Sequence, residues 1–565
     1  MSADASAAPR TPRAARGGKP RAQGQWALGY REPLNPNERA KRDDDALNVR
    51  ARIEQIYSKK GFDSIDPADL RGRMRWYGLY TQRAEGIPGG RTAVLEPEEL
   101  DAPYFMLRVR IDGGKLTSDQ LRVIGDVSTR YGRDVADVTD RQNVQLHWIR
   151  IEDMPAIWEA LEGVGLSTTE ACGDCPRVFL SCPLDGVAAD ELIEAGPSVD
   201  ETVAAYLGDP QFSNLPRKFK TSISGCAHHC TNHEINDVAF EGVELDDGTA
   251  GFDLWVGGGL STNPMFAQRL GVFVRAEEVR EVWAGVCGLF RDYGYRRSRN
   301  HARIKFLMAD WGPEKFRQVL QDEYLHRELP DGPTVTMLPG PRDHVGVTVQ
   351  KDGRFAVGAA GQAGRSSGAT LTEIAAIADR HGSGRIRTTA QQGLVLLDIE
   401  AADVDTVVAE LDAVGWAARP SAFRRGTIAC TGIEFCKLAI VETKGRANWL
   451  RGELETRMPD FDTPVTINVN GCPNSCARFQ VADLGFKGLL SKGPDGEDVE
   501  SFQVHLGGEL AGRAAIGRKF RGLKVNAEDL PDYSERVLRG YLERRASKDE
   551  TFADYVGRAD EAWLL

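Results

Sequence analysis

The chain carries the same plan twice. RQNVQLHWIRIEDMPAIWEALEGVGL, starting at Arg141, aligns with QQGLVLLDIEAADVDTVVAELDAVGW, starting at Gln391, at an offset of 250 residues. Gln142/Gln392, Leu161/Leu411 and Val164-Gly165/Val414-Gly415 coincide. A second pair, SGCAHHCTNHEINDVAFEG from Ser224 and NGCPNSCARFQVADLGFKG from Asn470, aligns at an offset of 246. There Gly225/Gly471, Cys226/Cys472, Cys230/Cys476, Asp237/Asp483 and Gly242/Gly488 match. Two matched blocks in the same order, at nearly the same offset, identify a duplication. Each element assigned in one half therefore constrains the other.

Within a repeat, an apolar strand pattern, YFMLRVRID (Tyr104 to Asp112), leads through Gly-Gly into a helical one, SDQLRVIGDVSTRYG. A second strand, VQLHWIRI from Val144, and a helix, MPAIWEALEGVG, follow. This β-α-β-like rhythm with short loops predicts a small α/β sandwich. The second copy begins near DHVGVTVQ, from Asp343. Each sandwich precedes a larger α/β segment that carries cysteines, where FDLWVGGGL and FQVHLGGEL correspond. The Pro/Gly-rich LPDGPTVTMLPGPRD, Leu329 to Asp343, reads as the linker between halves.

A chain of 565 residues has room for three or more compact units. Its formal charge of −12 argues against nucleic acid as the main partner, because phosphate binding needs a net basic face. No run is long and apolar enough for a membrane span. Residues 1 to about 25, rich in Ala, Pro, Arg and Gly, read as a disordered tail, with an organelle transit peptide as the alternative. Without a signal-peptide core, the chain is expected in the reducing cytoplasm, and as a monomer. Ten cysteines there suggest metal ligands, reactive thiols or small buried residues rather than disulfides.

Cys430 and Cys436 form one local pair, Cys472 and Cys476 another. Four thiolates so arranged hold a tetrahedral zinc or an iron–sulfur cluster, or are simply buried. The five-residue gap inside the first pair is wide for zinc, and a cubane accommodates it better. Pro473 and Gly471 suit a loop whose backbone N–H groups turn toward sulfur.

ACTGIEFCKLA followed by NGCPNSCA resembles the C-x5-C…C-x3-C signature of sulfite and nitrite reductases that carry sirohaem and a [4Fe–4S] cluster. YFMLRVRIDGG, TDRQNVQLHW, CGDCPRV, NLPRKFK and HEINDVAF also fall where that family has counterparts, so the resemblance runs from about residue 60 to near the C-terminus. It implies an α/β (α+β) fold with pseudo-two-fold symmetry: duplicated ferredoxin-like half-domains plus two larger α/β domains for sirohaem and cluster. The expected units are a basic tail with an N-terminal helix (1–60), half-domain 1 (61–168), a sirohaem and substrate domain (169–330), half-domain 2 (331–425) and a cluster domain (426–565). By resemblance, Cys430, Cys436, Cys472 and Cys476 hold the cluster, and Cys476 bridges it to the sirohaem iron. The implied activity is assimilatory reduction of sulfite to sulfide, with nitrite reduction to ammonia as the alternative. A non-catalytic haem/iron–sulfur carrier or redox sensor is the distant third.

Sirohaem is a polycarboxylate and both substrates are anions, so such a site needs an excess of Arg and Lys. In LPRKFK, Lys218 and Lys220 alternate around Phe219, and on a strand both face one side. The resemblance places Arg108, Arg177, Lys218 and Lys220 on the substrate side, Arg141 and Gln145 at the sirohaem, and Asn470 and Asn474 against the cluster loop. Sulfite reductases of the family tend to show Lys-x-Lys where many nitrite reductases show Lys-Trp-Asn. The second cation here, Lys220, therefore favours sulfite.

No flavin module and no G-x-G-x-x-G loop appears; GGGL at Gly257 to Leu260 has the wrong spacing and reads as a strand-end turn near the cofactor. A single-electron protein donor is implied, most simply reduced ferredoxin. RDYGYRRSRNHARIK, Arg291 to Lys305, is one candidate docking face for such an acidic partner. Two features stand outside the simplest template. Cys172 and Cys175 form a C-x-x-C, which in isolation suggests redox chemistry or zinc; some relatives instead join a cysteine here to a tyrosine of GLYTQR, in this chain Cys172 and Tyr80. GCAHHCTNH mirrors the cluster loop, either as a relic with buried cysteines or as a metal site completed by Cys175 or Cys182.

Overall fold

The computed structural model describes residues 34–338, 340–510 and 513–565. The tail read as disordered lies outside them; the N-terminal helix is Pro36–Asp43, capped by Asn35. Among the described residues no helix is long and apolar enough to cross a membrane.

Four five-stranded sheets repeat one pair of designs. The first contains Leu79–Arg83, Asp101–Val109, Val144–Ile149 and Ala136–Val138, in that order, and its counterpart Gly346–Val349, Phe355–Ala360, Gly393–Ile399 and Arg385–Thr388. Each takes its fifth strand from the other half. Arg365–Ser366 pairs with Ala136–Val138, and Lys115–Thr117 pairs with Arg385–Thr388. The exchange covers a sheet edge on each side, leaving fewer unpaired backbone groups.

The 250-residue offset survives in three dimensions. Helix Ser118–Tyr131 starts on the Thr117 hydroxyl and helix Gly368–His381 on the Ser367 hydroxyl, each accepting from a backbone N–H three residues on. Gly125 and Gly368 let these helices touch: a Cβ on Gly125 would lie 2.6 Å from the Gly368 carbonyl oxygen. Both half-domains drain into one core, in which Leu107, Ile124 and Leu146 meet Val357, Ile374 and Leu396.

The larger sheets also match. Pro176–Leu180, Phe219–Ser224 and Val238–Glu244 are parallel, then Ala250–Val256 and Gln268–Val274 run antiparallel. Thr427–Ala429, Ile467–Asn470, Leu484–Lys492, Asp498–Leu506 and Arg518–Asn526 repeat that plan. Each encloses its own apolar core. Asp237 accepts from the Lys220 backbone N–H at 2.8 Å, and Asp483 from that of Thr466, also at 2.8 Å. Gln142 brackets Ser181 with reciprocal bonds, and Gln392 does the same to Ala429. The two glutamines clamp each half-domain to its larger partner, and the two aspartates fix matching turns inside the larger domains.

Candidate functional site

In open α/β sheets, ligands sit beyond the carboxyl ends of parallel strands. Cys430 follows Thr427–Ala429, and Cys472 and Cys476 follow its parallel neighbour Ile467–Asn470. The intervening turn requires Gly432 (φ 75°), where a Cβ would strike the Thr443 hydroxyl. Gly471 N–H donates to Cys430 Sγ at 3.3 Å, and the Leu438, Ala439 and Asn474 amides serve Cys436 and Cys472. The thiols feel one another: burial and then the Cys476 charge push Cys430 up to about 12, and both also raise Cys436 and Cys472. Cys476 is the exposed one of the four and so is free to meet a second group.

This donor set fits a cluster. Among the described residues the four thiols form no group of three within 4.8 Å, unlike the ligands of a single tetrahedral ion. Asn470 accepts from Ala477 N–H at 2.9 Å, while its buried Nδ2 has no protein partner. Asn474 is exposed and contributes through its amide.

The residues expected on the substrate side come from the other half. Alternation puts Leu79, Leu107 and Leu146 into the core and Tyr80, Arg108 and Gln145 on the opposite face, through the Tyr80↔Met106 and Arg108↔Gln145 pairings. Thr431 donates to Gln145 Oε1 at 3.3 Å, tying this face to the cluster loop. Lys218 and Lys220 flank Phe219, which is fully buried against Trp283 and Phe290. Arg141 reaches Asn236 Oδ1 and the Val178 carbonyl, both at 2.9 Å, and leaves its buried Nε without a partner.

Arg141, Arg177, Lys218 and Lys220 keep some accessible surface yet are surrounded by protein, so that surface opens on an internal hollow. Burial, reinforced by Arg303, Arg217 and Arg177, lowers Lys218 to about 7; the Cys476 charge acts in the opposite sense, which places that thiol within electrostatic reach. Burial, then Arg141 and Lys218, hold Lys220 well below its ordinary value. Burial lowers Arg141 to about 9. Among the described residues, none of Arg108, Arg177, Lys218 and Lys220 has a carboxylate in ion-pair contact. A group of cations that lacks carboxylate ion pairs is suited to an anion.

The C-x-x-C splits. Cys175 points its Sγ at the Cys172 carbonyl, 2.8 Å away, inside the core. Cys172 turns instead toward the cations: Arg108 Nε and Arg177 Nη2 each donate to its sulfur at 3.1 Å, and Tyr80 lies close enough to couple to it. Burial opposes ionisation, but the Arg177 and Arg108 charges hold the Cys172 thiol below its usual range. The two cysteines therefore make neither a zinc pair nor a dithiol couple.

Most cations of the stretch Arg291 to Lys305 are turned inward or paired, while Arg297 is exposed. Arg296 and Lys305 are buried, and Arg291, Arg299 and Arg303 are paired with Asp292, Asp174 and Asp237. Lys305 instead grips the Gly259 and Leu260 carbonyls, fixing the GGGL turn. Arg303, bidentate on Asp237 at 2.7 and 2.8 Å, adds a cation to the hollow that sequence reasoning missed. Its proximity to Lys218 depends on packing, and no local pattern marks it.

Comparison with known proteins agrees with this geometry. The family model described as nitrite and sulphite reductase 4Fe-4S domain matches residues 172–329 and 421–565. The nitrite/sulfite reductase ferredoxin-like half domain matches 98–164 and 348–414. The chain is 55% identical to the sulfite reductase [ferredoxin] of Mycobacterium tuberculosis, over 97% of this chain and 99% of that one. It is 35% identical to the ferredoxin–nitrite reductase of Synechococcus elongatus, over 91% and 97%. The structure of the Mycobacterium tuberculosis NirA protein superposes with a TM-score of 0.93 at 54% identity, covering 96% of this chain and 100% of the other.

Proposed function

Since the chain belongs to the nitrite and sulphite reductase family, we propose that it is an assimilatory sulfite reductase, reducing sulfite to sulfide by six electrons from reduced ferredoxin. Cys430, Cys436, Cys472 and Cys476 would hold the [4Fe–4S] cluster, with Asn470 and Asn474 against its loop, and Arg141, Gln145 and Cys476 would hold a sirohaem. When bound, these groups supply electrons singly to the substrate sulfur.

One observation carries the reading: Arg108 and Arg177 meet at Cys172, and Arg177, Lys218, Lys220 and Cys476 lie within electrostatic reach in turn, the four cations having no carboxylate ion pair. The two guanidinium forks suit planar pairing with oxyanion oxygens and orient the anion. The lysines supply compact charge and protons as oxygens leave as water. Lys218, near 7, exchanges its proton readily around neutral pH.

The domain limits follow the sequence reading: 61–168 and 331–425 as half-domains, 169–330 as the sirohaem and substrate side, and 426–565 as the cluster side. The reading places the enzyme in the cytoplasm as a monomer. Nitrite reduction is the second reading, favoured by the nitrite reductases among the relatives. Steady-state rates on sulfite and nitrite with one reduced donor decide: higher kcat/KM on sulfite is expected. Higher kcat/KM on nitrite overturns the substrate, and turnover of neither makes the protein an electron carrier.

A further inference from the structure

We propose that Cys182, Cys226, Cys230 and His344 bind a mononuclear zinc ion, a structural site separate from the iron–sulfur cluster. Their ligand atoms all lie within 4.8 Å of one another, and Cys182 Sγ is 3.7 Å from His344 Nε2. Tetrahedral zinc, with Zn–S about 2.3 Å and Zn–N about 2.0–2.1 Å, needs ligand–ligand edges of about 3.5–3.8 Å. The four ligands are thus nearly in place. The three thiols lie within 4.8 Å of one another and carry no disulfide.

Position argues for a closed site. Cys226 and Cys230 occupy the places of Cys472 and Cys476 in the repeat, and the loops share their backbone course: His229 and Ser475 have φ 52° and 57°, Asn232 and Arg478 both 56°. The duplicated loop kept two thiols. Cys182, beyond the end of Pro176–Leu180, follows Ser181 as Cys430 follows Ala429, and the fourth ligand comes from just before Gly346–Val349. A cubane takes one thiolate at each of four outward-facing corners, and ligands drawn this close cannot surround it.

Three cysteines with one histidine make a donor set suited to zinc. Val187, Ala356, Val395 and Leu397 pack around the thiols, which leaves no open position for a substrate. The supporting shell is present. Leu184 N–H donates to Cys182 Sγ at 3.4 Å, and Leu338 N–H to the Ala227 carbonyl at 2.8 Å. Arg425 holds Asp343, beside His344, through both oxygens at 2.6 and 2.8 Å. Binding would displace the thiol protons and fasten the first large domain to the start of the second half-domain, across the linker.

The test is metal analysis of the full-length holoenzyme, purified without chelators from zinc-supplemented medium. One zinc per chain is expected beside the iron, with a zinc K-edge absorption spectrum fitting three sulfurs and one nitrogen. Cys226→Ser/Cys230→Ser and His344→Ala should each lose the zinc while keeping iron content and visible spectrum. If a variant fails to fold, the absorption spectrum of the wild-type protein still decides. No bound zinc in the wild-type holoenzyme overturns the site, as does a zinc shell lacking sulfur or zinc retained in the folded variants.

Discussion

Arg108 and Arg177, on different strands of different domains, donate to the same atom. Each lies 3.1 Å from Cys172 Sγ, and Tyr80 is near enough for its ionisation to be coupled to that of the thiol. The guanidinium charges favour the thiolate, the reactive form of cysteine. We expect a thioether between Cys172 and a ring carbon of Tyr80, formed when the S–H and ring C–H bonds are lost and dioxygen takes up the two electrons and two protons as hydrogen peroxide. Peptide mass spectrometry should find one cross-linked species lighter than the sum by those hydrogens; recovery of the separate peptides alone counts against it.

Replacing Lys220 by Asn should discriminate between substrates. Loss of one preorganised donor costs about 10²–10³ in rate, and sulfite turnover should bear it while nitrite turnover falls far less. Lys218→Ala should impair both. If instead Lys220 only neutralises a cofactor carboxylate, Lys220→Asn loses cofactor, and activity per bound haem falls equally for the two anions.

Lys218, lowered to about 7, is charged below that value and neutral above it. As a proton donor it must be charged, so activity should fall as pH rises. Nitrite does not titrate in this range and isolates the enzyme's own limb, expected at or above pH 7 because cofactor carboxylates favour the charged lysine. In Lys218→Arg that limb should leave the measured range; an unmoved limb belongs to another group.

Cys476→Ser should disturb both chromophores at once, because one thiolate is assigned to cluster and haem together. Iron content and the visible spectrum are the measurements. A haem spectrum unchanged beside a lost cluster would remove the bridging role.

Asp137 should limit acid stability. It lies buried beneath Arg365 Nε at 2.6 Å, Lys444 Nζ at 3.3 Å and His147 Nε2 at 2.9 Å, groups drawn from both halves. Despite burial, the Lys444 and Arg365 charges hold its carboxyl far below the ordinary range. Its stabilisation is therefore full above the unfolded value of about 3.9 and is lost as pH falls through the folded value. Asp137→Asn, which leaves buried Lys444 without a carboxylate while Arg365 keeps Glu434, should cost about 3–5 kcal/mol at neutral pH. Thermal unfolding should show a lower Tm for the variant, with the gap narrowing in acid.

Much of this was legible in the sequence because it rests on local order. Strand and helix periods followed from backbone geometry, and the duplication from matched residues such as Gln142/Gln392, whose common clamp explains the match. The alternation in LPRKFK placed both lysines on one face because successive strand side chains point to opposite sides. The two cysteine pairs were visible because each is short-range.

Tertiary structure alone decided which distant segments meet. The strand exchange of Lys115–Thr117 and Arg365–Ser366, the charge knot at Asp137, and the choice of Cys182 over Cys175 beside Cys226 join residues with no shared local pattern. The run from Arg291 to Lys305 is the converse case: basic in sequence, yet largely turned inward onto carboxylates and carbonyls supplied by other elements. Local periodicity sets which face of an element is apolar or charged. What that face meets depends on how four sheets and a shared core pack, because burial free energy is summed over contacts between elements and carries no record of sequence distance.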